Sequence, residues 1–311
     1  MFTIDYFSEI IEKAIAAMGF PAEPSGLYEP VRYTLDGGGK RLRPVLLMAS
    51  AEAFGAKAED VVKQALGIEM FHNFTLLHDD VMDNADMRRG RPTVHRRWNC
   101  STAILSGDAM LTLATRLVAD CPDIQLRGVL GLFNATAMEI YEGQQYDMDF
   151  ESLNDVAVER YLEMIRLKTS VLLACACRMG AMLAGADEAS CAAMYRYGEL
   201  LGLAFQLQDD YLDTYGDPAL FGKEIGGDII NEKKTWLWIN AMTEGREQMQ
   251  RVLDKKLTDY LKIKEVKDIY DSLDLPARSH SLIESYVEDA IAALDNAKIS
   301  AEARSFFVNL A

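Results

Sequence analysis

Two short stretches hold the residues best suited to chemistry, LLHDDVMDNADMRRG at 76–90 and QLQDDYLD at 206–213. The first carries Asp79, Asp80 and Asp83, the second Asp209, Asp210 and Asp213, and each follows an apolar run. Residues four apart share a helix face. Asp79 therefore stacks with Asp83 and Asp209 with Asp213, while Asp80 and Asp210 lie about 100° round the helix. Unpaired carboxylates at the end of a buried stripe cost several kcal/mol or take up protons. A hard divalent cation removes that cost. Magnesium prefers oxygen, uses few carboxylates, and fills its remaining positions with water and phosphate oxygens. Two facing helices with such pairs make a cage for Mg²⁺ and a diphosphate. One DDxxD alone is equally well read as a solvated acidic face, but two copies, each behind an apolar run, are not.

Cations stand close by in the chain. Arg88 and Arg89 follow the first acidic stretch, in a loop bounded by Gly90 and Pro92. Upstream, GGGKRLRP carries Lys40, Arg41 and Arg43 behind three glycines. Such a loop can pass close to an anion and offer it backbone N–H groups, and taken alone it reads equally as a helix-entry loop with surface charges. The Arg fork matches phosphate oxygens, and Lys adds a point charge. A nucleotide P-loop is excluded because the GxxxxGK[ST] spacing is missing and no strand precedes it. Lys168 and Thr169 lie in the partly apolar segment MIRLKTSVLL, where a Lys wants an anion unless it snorkels to water. Lys223, Lys233 and Lys234 flank the loop after the second acidic stretch, where they read equally as charges that close over the site or as surface charge. The spacing 72, 75 or 76, 79, 83 puts His72 near the acid face, while His78 reads as a core residue.

The elements that must position these residues read as helix after helix. Apolar periodicity and stop signals place them at 44–55, 60–80, about 100–119, 124–148, 155–184, 188–215, 233–243, 245–261 and 277–296. Alternating β-branched runs are nearly absent, and there is no repeat or low-complexity tract. No stretch has the composition of a linker, so the expectation is one all-α domain over 1–311. Half of the 311 residues are hydrophobic, enough for a sizeable core, and 21 glycines and 8 prolines are too few for a fibrous or disordered chain. The net charge of −16 argues against a general nucleic-acid or anionic-membrane binder. Five cysteines, an odd number with no CxxC, are not a disulfide framework and fit a reducing cytosol. The longest apolar run, 170–186, is interrupted by Arg178 and falls short of the ~20 apolar residues of a membrane span. The first twenty residues lack the pattern of a signal peptide.

Taken together, GGGKRLRP, HNFTLLHDDVMDNADMRRGRPTVH, EGQQYDMD, LKTS, FQLQDDYLD, FGKEIGGD and the Lys-Lys-Thr at 233–235 resemble the trans-isoprenyl diphosphate synthases, the family of farnesyl and geranylgeranyl diphosphate synthases. The resemblance runs from about residue 25 to 240. It implies an all-α isoprenoid-synthase bundle of ten or more helices around a deep central cavity, usually a homodimer, and the thiols make the expected setting cytoplasmic. It also implies head-to-tail condensation of isopentenyl diphosphate with allylic diphosphates. By the same resemblance, Asp79, Asp80, Asp83, Asp209, Asp210 and Asp213 hold three Mg²⁺ ions. Arg88, Lys168, Lys223 and Lys233 grip the allylic diphosphate, with Gln144 in the cavity. Lys40, Arg43, His72 and Arg89 bind isopentenyl diphosphate. Thr169 and Gln206 stabilise the allylic cation and guide the departing diphosphate, and Arg41 and Lys234 match less closely. Phe74 and Thr75, five and four positions before Asp79, match the floor that stops chain growth. Bulk at the fifth position alone suggests a C20 product ahead of C15, and Phe71 and Met48 could also shape the floor. Two rival readings are a class I terpene cyclase and a non-catalytic subunit of a heteromeric synthase. The second complete DDxxD and the Lys40–Arg43 pocket count against the first, and six intact acids against the second.

Overall fold

The computed structural model describes residues 2–217 and 225–311. Helices dominate it: α1 (Ile4–Ala16), α2 (Ser25–Leu35), α3 (Leu42–Ala53), α4 (Val62–Met82), α5 (Val94–Arg97), α6 (Cys100–Val118), α7 (Asp123–Glu151), α8 (Val158–Ile165), α9 (Val171–Leu183) and α10 (Glu188–Tyr215). They continue as α11 (Gly227–Ile230), α12 (Trp236–Glu244), α13 (Arg246–Leu253), α14 (Asp259–Ser272), α15 (Leu275–Ala293) and α16 (Ala301–Leu310). Among the described residues the one sheet is a hairpin of β1 (Met87–Arg88) and β2 (Arg91–Pro92). The chain is all-α, as its periodicity implies.

Two compact units divide the chain. The first comprises residues up to Ala135, Cys175–Tyr195 and Asn296–Leu310. Its centre is α4, buried on every side from Gln64 to Phe71. Below Phe71 the burial narrows to Asn73, Phe74, Leu77 and Asp80, a stripe three to four residues apart. The other face, His72, Thr75, Leu76, Asp79 and Asp83, is left partly or fully open. Helix α1 closes one side of this unit with Phe7, Ile11 and Ile15, one turn apart, and Phe7 meets Phe306 edge-on at 5.7 Å. Helix α6 comes close enough to α4 to need glycine on both. A Cβ on Gly67 would lie 2.7 Å from the Val118 side chain, and one on Gly107 would collide with the His78 ring.

The second unit comprises Thr136–Ala174 and Arg196–Asp295. Tyr161, Leu207, Trp238, Tyr270 and Leu275 lie within one buried apolar cluster there. A π-helical turn, Arg166–Ser170, joins α8 to α9. The single helix expected over 155–184 is therefore interrupted where Lys168 and Thr169 sit. The helix expected over 245–261 stops early: α13 ends at Leu253, and α14 starts only at Asp259 and runs mostly beyond the expected end. Helices α1, α2 and α16 lie beyond the stretches singled out by periodicity.

Candidate active site

Arg41, Arg43, Arg88 and Arg89 stand near His72 in the first unit. Burial together with the charges of these arginines holds the His72 imidazole well below its ordinary range. Arg43 Nη1 lies 3.2 Å from His72 Nε2. A guanidinium can only donate, so His72 Nε2 accepts and the ring is neutral with its proton on Nδ1. Arg43 Nε is buried without a hydrogen-bond partner. Burial pushes Arg43 down to about 10, with Arg89 adding to the effect and Glu69 opposing it. Cations crowded together with an orphaned donor make a site for an anion. The unfolded state keeps an ordinary imidazole that protonates near pH 6.5, whereas folded His72 resists the proton. The unfolded state then binds more protons, so stability falls as pH drops through 6.5 toward the folded value. The melting temperature of His72→Gln should fall less steeply between pH 7.5 and 5.5 than that of the natural chain. Identical slopes would rule this out.

A hairpin turn delivers Arg88 and Arg89. Arg89 (φ 51°) and Gly90 (φ 71°) occupy its two central positions. Both have the positive φ of a type I′ turn, which is unusual for Arg at the first. Arg89 Nη1 donates to the Gly38 carbonyl, and Gly39 sits against the guanidinium, where a Cβ would lie 3.0 Å from Arg89 Cζ. Tyr33 anchors the hairpin. Its hydroxyl donates to Pro92 O at 2.8 Å, and the Arg91 guanidinium lies over its ring, 3.8 Å from the centroid. Arg88 Nε donates to Asp80 Oδ1 at 2.6 Å. Burial still raises the Asp80 carboxyl, against the pull of Arg88. Lys40 is exposed, Asp79 half-open and Asp83 exposed.

Arg41 departs from the sequence expectation. Its φ is 47°, and its guanidinium is buried. It donates to Glu12 Oε1 at 2.7 Å, Glu69 Oε1 at 2.7 Å and Leu35 O at 2.8 Å. Asn73 also donates to Glu69 Oε1. These partners occupy Arg41, so it braces the loop from beneath and is not a hand for substrate. Lys234 similarly donates to Glu232 O.

Asp210 anchors the site of the second unit. Its Oδ2 accepts from the Tyr161 hydroxyl at 2.5 Å, and its Oδ1 from Gln206 Nε2 at 2.8 Å. Gln206 Oε1 in turn accepts from Thr169 Oγ1 at 2.9 Å, tying Thr169 and Gln206 to the acid. Lys168 Nζ donates to Asp147 Oδ2 at 2.5 Å. Asp213 Oδ2 accepts from the Asp228 N–H at 2.9 Å. Asp228, Tyr161 and Asp147 are the members that sequence reasoning passed over. The one signal for Asp228 was an acid directly behind two glycines at a helix start. Burial, then neighbouring acids, raise Asp228; burial also raises Asp210, with Asp209 adding to it, and Lys233 pulls both down. Gln144 is partly buried on α7 and Asp209 half-open on α10. Lys223 lies outside the described residues.

Among the described residues no three His, Cys, Asp or Glu are gathered closely enough to hold a metal ion. The donor set nevertheless fits Mg²⁺. It is all carboxylate oxygen, and the acids Asp210 and Asp228 are raised, which a divalent cation would reverse. In the first unit Phe74 is buried between Phe71 at 5.5 Å and the His78 ring at 4.8 Å, while Thr75, half-open, donates to His72 O. His78, expected in the core, is instead partly open and reaches Ile104 O at 3.1 Å.

The polyprenyl synthetase family model matches residues 24–273. The chain belongs to that family. It is a prenyltransferase of the trans-prenyl diphosphate synthase type. It is 41% identical over 240 residues to a geranylgeranyl diphosphate synthase of Methanosarcina mazei, covering 76% of this chain and 74% of that one. With a geranylfarnesyl diphosphate synthase of Natronomonas pharaonis it shares 39% identity over 255 residues, 76% of this chain and 75% of the other. A crystal structure of a geranylgeranyl pyrophosphate synthase superimposes with a TM-score of 0.96 at 43% identity, covering 100% of this chain and 97% of that one. Among the described residues no helix of this prenyltransferase is long and apolar enough to cross a membrane.

Proposed function

We propose that this prenyltransferase condenses isopentenyl diphosphate head-to-tail with allylic diphosphates and stops at the all-trans C20 product, geranylgeranyl diphosphate, ahead of C15. The observation that carries the reading is the open face of α4, where neutral His72, with Arg43 at its side, shares a stripe with Asp79 and Asp83. An anion pocket and a set of hard metal ligands on one face suit a diphosphate substrate.

In this reading Lys40, Arg43, His72 and Arg89 hold isopentenyl diphosphate. Arg88, Lys168, Lys223, Lys233 and Gln144 hold the allylic partner. Asp79, Asp80, Asp83, Asp209, Asp210 and Asp213 hold three Mg²⁺ ions, which when bound neutralise the charge building on the departing diphosphate. Arg88 and Lys168 add fixed positive charge where that charge develops. Thr169 Oγ1 and Gln206, already joined to Asp210, face the allylic cation with oxygen dipoles. The double bond of isopentenyl diphosphate attacks that cation, and a proton then leaves to the released diphosphate. The six acids have oxygen ligands' chemistry, and the two arginine-bearing segments have the donors for phosphate.

The family match runs through residues of both units, which supports reading 1–311 as one synthase domain. Free cysteines, with Cys175, Cys177 and Cys191 buried, support a cytoplasmic setting. Exposed Ile104 and Leu105 on α6 and Ile124 on α7 support a homodimer.

The test is product analysis by mass, with Mg²⁺, isopentenyl diphosphate and each of the C5, C10 and C15 primers. A dominant C20 chain is expected. A C15 product would move the floor upward. Cyclic hydrocarbons would point to a cyclase, and no product with any primer to a non-catalytic subunit.

A further inference from the structure

We propose that Arg166 is a positioning residue that sets the working geometry of Lys168 and Thr169 through the π-helical turn it opens; the inference rests on the roles given to those two residues above. In that turn the Val171 N–H bonds to Arg166 O, five residues back. A π turn packs one extra residue into the helix, and such turns are rare and weak alone. One added residue also rotates the side chains that follow by about 100° relative to an uninterrupted helix. Something must therefore hold this turn in place.

Two neighbouring helices do so with matched stripes. On α7 the stripe is Glu139, Gly143 and Asp147, spaced by four. On α10 it is Glu199, Gly202 and Gln206, spaced by three and four. The first member of each stripe meets Arg166. Its Nη1 lies 3.3 Å from Glu199 Oε1 and 3.6 Å from Glu139 Oε1, while Nε and Nη2 each reach a Glu163 oxygen at 2.8 Å. Three carboxylates from α7, α8 and α10 thus close on one guanidinium, and these partners hold it above its ordinary range, the Glu163 hydrogen bond most strongly. The second member of each stripe is a bare backbone pressed on the turn. A Cβ on Gly143 would collide with the Lys168 backbone nitrogen, and one on Gly202 would lie 2.5 Å from Ser170 Cα. The third member receives the functional side chain: Asp147 takes Lys168 Nζ, and Gln206 takes Thr169 Oγ1. Arg166 is the polar lock at the head of this arrangement. It touches no residue assigned to substrate, so its effect passes through the turn.

The experiment compares Arg166→Met, Arg166→Lys, Gly143→Ala and Lys168→Ala in steady-state kinetics, with a thermal melt of each. A displacement of about 1 Å in a reacting group costs up to about 100-fold in rate. Arg166→Met should lower kcat about 10- to 100-fold while KM for isopentenyl diphosphate stays within about threefold. Arg166→Lys should recover part of the loss, because the charge remains while the fork to Glu163 does not. Gly143→Ala should reproduce the loss of kcat without any change of charge. Wild-type kcat in Arg166→Met beside a crippled Lys168→Ala would overturn the inference alone. Wild-type kcat in both would overturn the role of Lys168 and the inference with it. A fall of activity in Arg166→Met and Gly143→Ala that only tracks the folded fraction would also overturn it.

Discussion

Asp79→Ala and Asp209→Ala should each lower kcat by about a thousandfold or more at saturating Mg²⁺, with helical circular dichroism unchanged. Metal-borne charge stabilisation is worth several kcal/mol, and each 1.36 kcal/mol is tenfold in rate. Both residues are half-open ends of helices whose cores lie upstream, so their loss removes little packing. The neighbouring acids differ. Asp210→Ala strips the acceptor from both Tyr161 and Gln206, and Asp80→Ala strips it from Arg88. Both variants should lose activity, and Asp210→Ala should also melt earlier, because the buried Tyr161 donor left without a partner costs about 1–3 kcal/mol, whereas half-exposed Arg88 can turn to water. The contrast separates acids that only ligate from Asp210, which also braces the fold. Near-normal turnover in both Asp79→Ala and Asp209→Ala would remove the metal reading. A collapse of helicity in both would recast the acids as structural.

Why some of the site could be read in advance and some could not follows from what spacing encodes. Asp79 with Asp83 and Asp209 with Asp213 are legible because i and i+4 fix a common face wherever the helix lies. His72 joins them through the same period. Arg41 was not legible. KRLR presents three cations in four residues, and only the fold shows that Glu12 and Glu69 consume one of them. Asp228 was missed because its neighbour Asp213 lies fifteen residues away across a loop, a relation no local period expresses. The π turn was invisible for a similar reason. Residues 155–184 keep an apolar helical period, while the room for the interruption comes from Gly143 and Gly202 on other helices. Between α13 and α14, Thr258 takes the extended N-cap conformation before α14, a break that the periodicity of the run did not mark. The two-residue strands of the hairpin are too short for alternation to appear at all.

Phe74→Ala should lengthen the product beyond C20, and Thr75→Phe should shorten it to C15. Phe74 is only 5% exposed and packs between Phe71 and His78, with Phe133 behind Phe71 at 5.2 Å. A ring so placed has a structural role whatever else it does. Deleting it should cost about 3–5 kcal/mol if the space stays empty. A lower melting temperature therefore decides nothing about the floor, whereas product length does. If the ring blocks the growing tail, its removal opens the path toward Phe71, and chains of C25 or longer should dominate at saturating isopentenyl diphosphate. If the ring is only core, the variant melts earlier and still releases C20. Thr75→Phe tests the same wall from the other side. Thr75 is half-open and its hydroxyl serves only its own helix, through His72 O, so a larger side chain should be tolerated at little cost in stability. Opposite shifts in product length from two adjacent positions, one buried and one open, would have no explanation in stability. They would place the end of the growing chain at this turn of α4, about one turn before the first aspartate.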